Sequence, residues 1–393
     1  MNAHNSFRLL CLLLCLSGAG SVLAKQPPLV IAVDADFSTV SATGGQAMYY
    51  GVELAIEEIN ETGGIAGRPL HVIKSDHHGN PARGVANIKQ LAQQKNLLAV
   101  VGGVHTPVAI AQLDAIHDEN ILYLGAWAAG TAVVDNNYTP NNVFRVSVRD
   151  SEAATVLLNY AKSRGLTKVA LALERTAWGR SNFASLDQAA SKLGIDIVKT
   201  AWVNWQQVTF ALDAASIADS EAEAIIMVAN APEAAVMTRA IHAQLGDALP
   251  IIAHWGLVSG DFTTLVGKPL LTAMDISVIQ TFSFLYQTSP QAQKLLHRYR
   301  ARFAADIDAS AVPAAVGVAH GYDLTHLLAR AAQSAENLNT DALRDALENL
   351  PSYEGAVKTY APPFTPTRHD ALWAQDYFMA RFNGAGNLIP VKR

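Results

Sequence analysis

Apolar residues follow two rhythms along this chain, and the two alternate. Short continuous runs, such as Leu29 to Val33, Leu97 to Val101, Lys168 to Leu173 and Ala224 to Ala229, read as strands buried on both faces. A parallel sheet covered by helices leaves no wet face, so its strands need no alternation. Between these runs apolar positions recur every three or four residues, the period of an amphipathic helix. The fullest example is Gly44 to Pro81, where Met48, Val52, Ala55, Ile56 and Ile59 mark one face. Glu53, Glu57, Glu58 and Glu61 fall between them and are expected in solvent. Gly63-Gly64 stops the helix, because glycine takes the left-handed C-cap conformation without steric cost. Gly67-Arg68-Pro69 then turns the chain into a strand, Leu70 to Ile73, and Asn80-Pro81 opens the next helix as N-cap and first helical residue.

The alternation continues through strands Ile121 to Leu124 and Val143 to Val148, then starts a second series. Helices are expected over Ala153 to Lys162, Phe183 to Leu193, Phe210 to Ala218 and Pro232 to Leu245. They are interleaved with strands at Lys168 to Leu173, Ile195 to Trp202, Ala224 to Ala229, Pro250 to Ala253 and Ile276 to Phe282. Three longer helices follow, Gln291 to Ala304, Val312 to Ala332 and Thr340 to Leu350, and a candidate strand, Tyr377 to Arg381, lies near the end. Two βα series of similar size predict an α/β protein with two doubly wound lobes.

Composition narrows this. The chain has 393 residues, enough for two core-bearing domains, and a formal net charge of -5, which argues against a nucleic-acid surface. Arg8, the apolar run Leu9 to Leu16, and small residues up to Ala24 read as a secretory signal, residues 1–24, cut after Ala24. Eight strongly apolar residues are too few to span a bilayer, which takes roughly 20. Both cysteines, Cys11 and Cys15, lie in that segment, so the rest of the chain carries no thiol. The expected setting is the bacterial periplasm, with no embedding in the membrane.

Enzyme signatures are absent: no G-x-S-x-G elbow, no G-x-G-x-x-G after a strand and no Walker A. His71, Asp76, His77 and His78 cluster without an established zinc spacing, so neither metal nor cofactor is expected. The strand ends are more informative, because open α/β sheets bind ligands outside the carboxyl ends of their strands. Gly102 to Pro107 joins such an end to a helix N-terminus that suits an anion, with His105 and Thr106 at hand. Gly125 to Thr131 sets Trp127 among small residues that let a ligand approach the backbone. Trp178 and Trp255 also follow strands, so three tryptophans are expected to face one crevice. Trp202 ends a strand, while Trp205 and Trp373 lie in irregular stretches and carry less of that logic.

The run GVELAIEEINETGGIAGRPLHVIKSDHHGNP, with Gly102-Gly103, Ile121-Leu122, Phe144-Arg145, Trp178-Gly179 and Ala231-Pro232-Glu233, resembles type I periplasmic solute-binding proteins of the leucine/isoleucine/valine-binding kind. The resemblance implies a clamshell of two lobes joined by three crossovers, near Val148, Gln280 to Phe282, and Thr365 to Ala371. Lobe I would combine 27–148 with 282–365, and lobe II 149–281 with 366–393. It implies a small-molecule ligand and a partner in an ABC permease or a membrane sensor such as a receptor or histidine kinase. It implies a monomer with no catalytic residues, an envelope hydrolase being the weaker alternative. Carried over by position, the ligand residues are His105, Thr106, Trp127, Ala128, Ala129, Thr131, Trp178, Asn230 and Trp255. Trp255 stands where relatives place the acid that takes a ligand ammonium. An aromatic or hydrophobic carboxylate is therefore expected first, with an amino-acid-like compound or a Trp-caged cation behind it.

Overall fold

The computed structural model describes residues 26–391, so the expected signal over residues 1–24 lies outside the described residues. Helix and strand alternate through β1 (Leu29–Ala35), α1 (Ala42–Glu61), β2 (Leu70–Asp76), α2 (Pro81–Leu91), β3 (Leu97–Gly102), α3 (Thr106–Asp118), β4 (Tyr123–Gly125) and β5 (Val143–Arg145). The second series runs α4 (Asp150–Ser163), β6 (Lys168–Glu174), α5 (Ala177–Leu193), β7 (Asp196–Val203), α6 (Ala211–Ala218), β8 (Ala224–Val228), α7 (Ala231–Leu245) and β9 (Ile251–Ala253). Short helices α8 (Phe262–Val266) and α9 (Lys268–Ala273) precede β10 (Ile276–Gln280). After them come α10 (Pro290–Phe303), α11 (Ala315–Ser334), α12 (Thr340–Glu348), the ribbon β11 (Tyr353–Glu354) with β12 (Thr359–Tyr360), and finally β13 (Phe378–Phe382) and β14 (Leu388–Pro390).

Two sheets result. The first has the order β2-β1-β3-β4-β5, all parallel. The second begins with the same winding, β7-β6-β8-β9-β10, and is extended by β13 and β14 in antiparallel sense. The chain therefore crosses between lobes after β5, after β10 and before β13. The first and third crossings are bonded to each other: Arg145 N–H donates to the His369 carbonyl at 2.8 Å, and Ala371 N–H to the Arg145 carbonyl at 2.9 Å. Between them the fully buried Arg145 guanidinium meets Asp370. Such a pair demands good geometry, since removing either partner strands a buried charge.

Helix α1 packs on α11 at close range. A Cβ at Gly51 would lie 2.0 Å from the Val318 carbonyl oxygen, and one at Gly321 2.5 Å from that of Met48. The acidic face of α1, expected in solvent, instead meets α10: Glu57 and Glu53 pair with Arg302, Glu58 with Lys294, and Glu61 with Arg298. The 3.6-residue period reveals which side of a helix is polar but not which basic helix will cover it. Gly63 and Gly64 have φ of 101° and 76°, as the stop signal requires, and Asn80 caps α2 by accepting from Arg83 N–H. Strand β14 and the antiparallel hairpin were not legible, because Leu388–Pro390 is too short to show a period.

Candidate functional site

In both sheets the winding reverses beside the first strand, between β1 and β3 and between β6 and β8, the switch point at which open α/β sheets hold ligands. The four carboxyl ends at these points face one another across the lobes. Val104, His105, Thr106, Trp127 and Ala129 from the first lobe and Glu174, Trp178, Asn230 and Trp255 from the second line a space of about 10 Å³. That is room for one water at most. The Trp127 and Trp255 rings fill the centre, with centroids 5.2 Å apart. Both are essentially fully buried.

Each wall is held from behind. Arg145 Nη1 donates to the Ala128 and Gly130 carbonyls at 3.1 and 2.8 Å, and Ser147 Oγ to the Trp127 carbonyl at 2.7 Å. Gly130 N–H donates to Thr106 Oγ1 at 3.1 Å, which leaves the Thr106 hydroxyl proton free for a ligand. Only glycine fits at 130, since a Cβ there would lie 2.4 Å from Thr106 Cγ2. Trp178 Nε1 donates to Asp150 Oδ1 at 3.1 Å, and its ring lies where a Cβ at Gly256 would be 2.5 Å away. His320 joins the cleft to a crossover: Nδ1 donates to the Ala126 carbonyl at 2.9 Å, and Nε2 accepts from Thr281 Oγ1 at 2.9 Å. Burial pulls the His320 pKa down to about 4, so it bridges as the neutral ring.

Of the nine residues expected at the site, His105, Thr106, Trp127, Ala129, Trp178, Asn230 and Trp255 line the shared space, while Ala128 and Thr131 do not. Ala128 packs into the apolar layer with Tyr123 and Val143. Thr131 opens a 3-10 turn, and its Oγ1 accepts from Ser151 N–H at 3.3 Å, away from the cleft. The Ala-Gly-Thr run thus meets the cleft through Ala129, two residues before Thr131. Trp178 sits in the first turn of α5, which begins six residues before the expected Phe183 because Thr176 caps it by accepting from Gly179 N–H.

Two carboxylates went unnoticed in the sequence. Asp36, just past β1, accepts from Thr39 N–H at 2.9 Å and lies 3.3 Å from His105 Nε2. Burial opposes its charge, but His105 and the Thr39 hydroxyl and amide outweigh that and hold its pKa below the usual carboxylate range. With Nε2–H assigned toward Asp36, the buried His105 Nδ1 has a lone pair and no partner among the described residues. Glu174 ends β6 and accepts from Asn230 N–H and from Trp205 Nε1 at 2.8 Å. Burial, then the charge of Glu233, push its pKa up to about 8 despite those donors. Both are acids that close apolar runs, LVIAVDAD and KVALALE, and that position was the available signal.

The histidine cluster forms a loop network. Asp76 Oδ1 accepts from Phe37 and His78 N–H, and His77 Nδ1 accepts from Gly79 N–H at 3.0 Å. Among the described residues no group of three or more His, Cys, Asp or Glu is placed to hold a metal.

Two similarly wound lobes, three crossings and a cleft built from strand ends of both define a ligand-binding clamshell. The periplasmic binding protein family model matches residues 28–387, and the chain belongs to that family. It is a solute-binding protein rather than an enzyme. An amino acid binding protein of Pseudomonas aeruginosa is 24% identical over 277 residues, covering 70% of this chain and 72% of that one. The periplasmic binding protein type 1 of Bordetella pertussis superposes with a TM-score of 0.84 at 21% identity, covering 93% of this chain and all of that one. A solute-binding protein of R. palustris in complex with 4-hydroxybenzoate gives 0.79 at 16% identity, covering 93% and 96%.

Proposed function

We propose that this chain is the capture component of a periplasmic ABC importer, taking a small organic solute that carries a carboxylate on an aromatic or hydrophobic body, or an amino-acid-like compound. One observation carries the reading: strand ends of both lobes bring three tryptophans and a hydroxyl with its proton to give around one point. Thr106 and the start of α3 take the anionic end. Trp127, Trp178 and Trp255 enclose the body, and Asn230 supplies a polar contact. With the lobes shut, little more than a water fits between the rings. Solute therefore enters with the lobes apart and the rings re-set around it, and a ligand touching both sides favours closure. The closed form, as a monomer, then docks on the permease. Relatives described as binding an amino acid and 4-hydroxybenzoate bracket this class.

Tryptophan fluorescence of the purified protein, titrated with aromatic acids, aliphatic acids, α-amino acids and quaternary amines, tests the proposal. An acid-bearing ligand should give a saturable change, and Thr106→Ala should weaken it about tenfold or more, the worth of a hydrogen bond to a charged group. A response identical in Trp127→Phe, Trp178→Phe, Trp255→Phe and the wild type would remove the aromatic wall from the account.

A further inference from the structure

A second space between the lobes, of about 740 Å³, shares no lining residue with the Trp-lined cleft. It falls within the range of ordinary small-molecule sites, whereas the Trp-lined space does not. Each lobe lends it an aromatic pair: Tyr50 and Tyr299, with centroids 6.1 Å apart, and Phe262 and Phe382, 5.6 Å apart. Phe282 of the second crossover also lines it, beside Gln280, whose Nε2 is taken by the Ile279 carbonyl at 2.7 Å. Its Oε1 has no protein donor among the described residues. Among the described residues no Lys, Arg or His lines this space, and the one charged lining residue is Asp261, which is exposed. Asp261 Oδ1 caps α8 through Thr264 N–H, which leaves Oδ2 unengaged.

The space exists only while the lobes are together. On one side Ser41 Oγ and Ser259 Oγ stand 3.3 Å apart across the lobes, and Gly260 lies so near the Val40 carbonyl that a Cβ would be 2.2 Å from it. On the other, Asn387 Nδ2 donates to Ser310 Oγ at 3.1 Å.

We infer that this space is a second ligand site, distinct from the Trp-lined cleft, for a small protonated amine with an aromatic or branched apolar body. The apolar body lies between the aromatic pairs, the ammonium turns to Asp261, and Gln280 Oε1 accepts a remaining N–H. Because both lobes form the walls, an occupant favours the closed state and tightens binding in the cleft; by reciprocity, cleft ligand tightens the amine.

Phenethylamine and its acid counterpart, 3-phenylpropionate, are suitable probes, titrated calorimetrically into wild type, Ala311→Trp, Ala385→Trp, Asp261→Asn and Thr106→Ala. Ala311 and Ala385 line the space from opposite lobes, so either tryptophan fills it, and circular dichroism shows which variant folds. Phenethylamine should bind wild type and Thr106→Ala alike, lose at least tenfold in either filled variant, and lose several-fold in Asp261→Asn. Phenylpropionate should not compete for this site. Absence of phenethylamine binding at millimolar concentration, or binding unchanged in a folded filled variant, overturns the inference. Loss of amine binding in Thr106→Ala would place the amine in the Trp-lined cleft and equally overturn it, while leaving the cleft's own function standing.

Discussion

The two lobes each bury one carboxylate at the same topological position, and they hold these groups in opposite protonation states. Asp36 leaves β1 and Glu174 ends β6, each on the strand at its sheet's switch point. Both have essentially no exposed surface and both receive hydrogen bonds from backbone and side chain. Burial opposes the charge in each. Asp36 stays ionised because His105 and Thr39 converge on it from two elements. Glu174 faces the like charge of Glu233, and its pKa rises to about 8. Glu174 is the more deeply buried of the two and also has the like-charged neighbour, so depth and neighbour act together. The first lobe thus presents a fixed framework at the cleft, and the second a carboxyl group poised to ionise when water or a cation reaches it.

The largest expected effect breaks the framework. Asp36→Ala removes the partner of the buried His105 and the acceptor of the Ser38 and Thr39 amides. The expected loss is about 3 kcal/mol, the upper end of the range for hydrogen bonds to a charged acceptor, read from urea unfolding at pH 7. Because the Asp36 pKa is lowered by folding, its contribution is complete above the unfolded value near 4 and is lost as pH falls below it. A loss under 1 kcal/mol would mean that the two lobes do not differ in this way.

Glu174 gives the opposite slope. Its folded pKa of about 8 lies above the ordinary glutamate value of 4.5, so in the window between them the unfolded chain releases a proton that the folded one keeps. Stability from this group is full below pH 4.5 and falls as pH rises toward 8. Between pH 5 and pH 7 the decline is about 2 to 3 kcal/mol. Asp34 and Asp323, each raised to about 6 by burial, add slopes of the same sign in the lower part of this window. They cancel when wild type is compared with Glu174→Gln. The variant should lack this share of the decline in chemical denaturation at the two pH values. An identical decline in both proteins would show that Glu174 is ionised throughout.

The sequence exposed these two carboxylates unequally from the rest. Strand ends with Thr106, Trp127, Trp178 and Trp255 could be found because buried parallel strands are continuous apolar runs and their ends are where polar and small residues resume. The clamshell fold was legible for the same reason, with help from the turn Gly63 to Leu70. Asp36 and Glu174 were not distinguished, since an acid that ends a strand looks like any first loop residue until the fold shows two switch points facing each other. Thr131 was expected at the cleft but lies outside its lining, because the bend at Gly130 depends on Thr106 and Arg145, both distant in the chain. The large space beside Phe282 was beyond reach: its walls come from α1, α8, β13 and the loop before α11, and only the closure of the lobes assembles them.

The smallest effect sharpens the comparison most, because Trp205 touches both sides of it. Its ring lies 5.5 Å from that of His105, the partner of Asp36, and its Nε1–H donates to Glu174 at 2.8 Å. Trp205→Phe keeps an aromatic ring against His105 and deletes only the donor. At pH 6 Glu174 is the neutral acid, and losing one hydrogen bond should cost about 1 kcal/mol. At pH 9 it is the carboxylate, and a charge-assisted bond is roughly twice as strong, so the same substitution should cost about 2 kcal/mol. The donor also favours the ionised form, so its removal moves the Glu174 midpoint further up. Thermal or urea unfolding of the variant and wild type at the two pH values measures the difference directly. Equal losses at pH 6 and pH 9 would show that the second lobe's carboxyl does not change state between them, and the contrast between the lobes would rest on Asp36 alone.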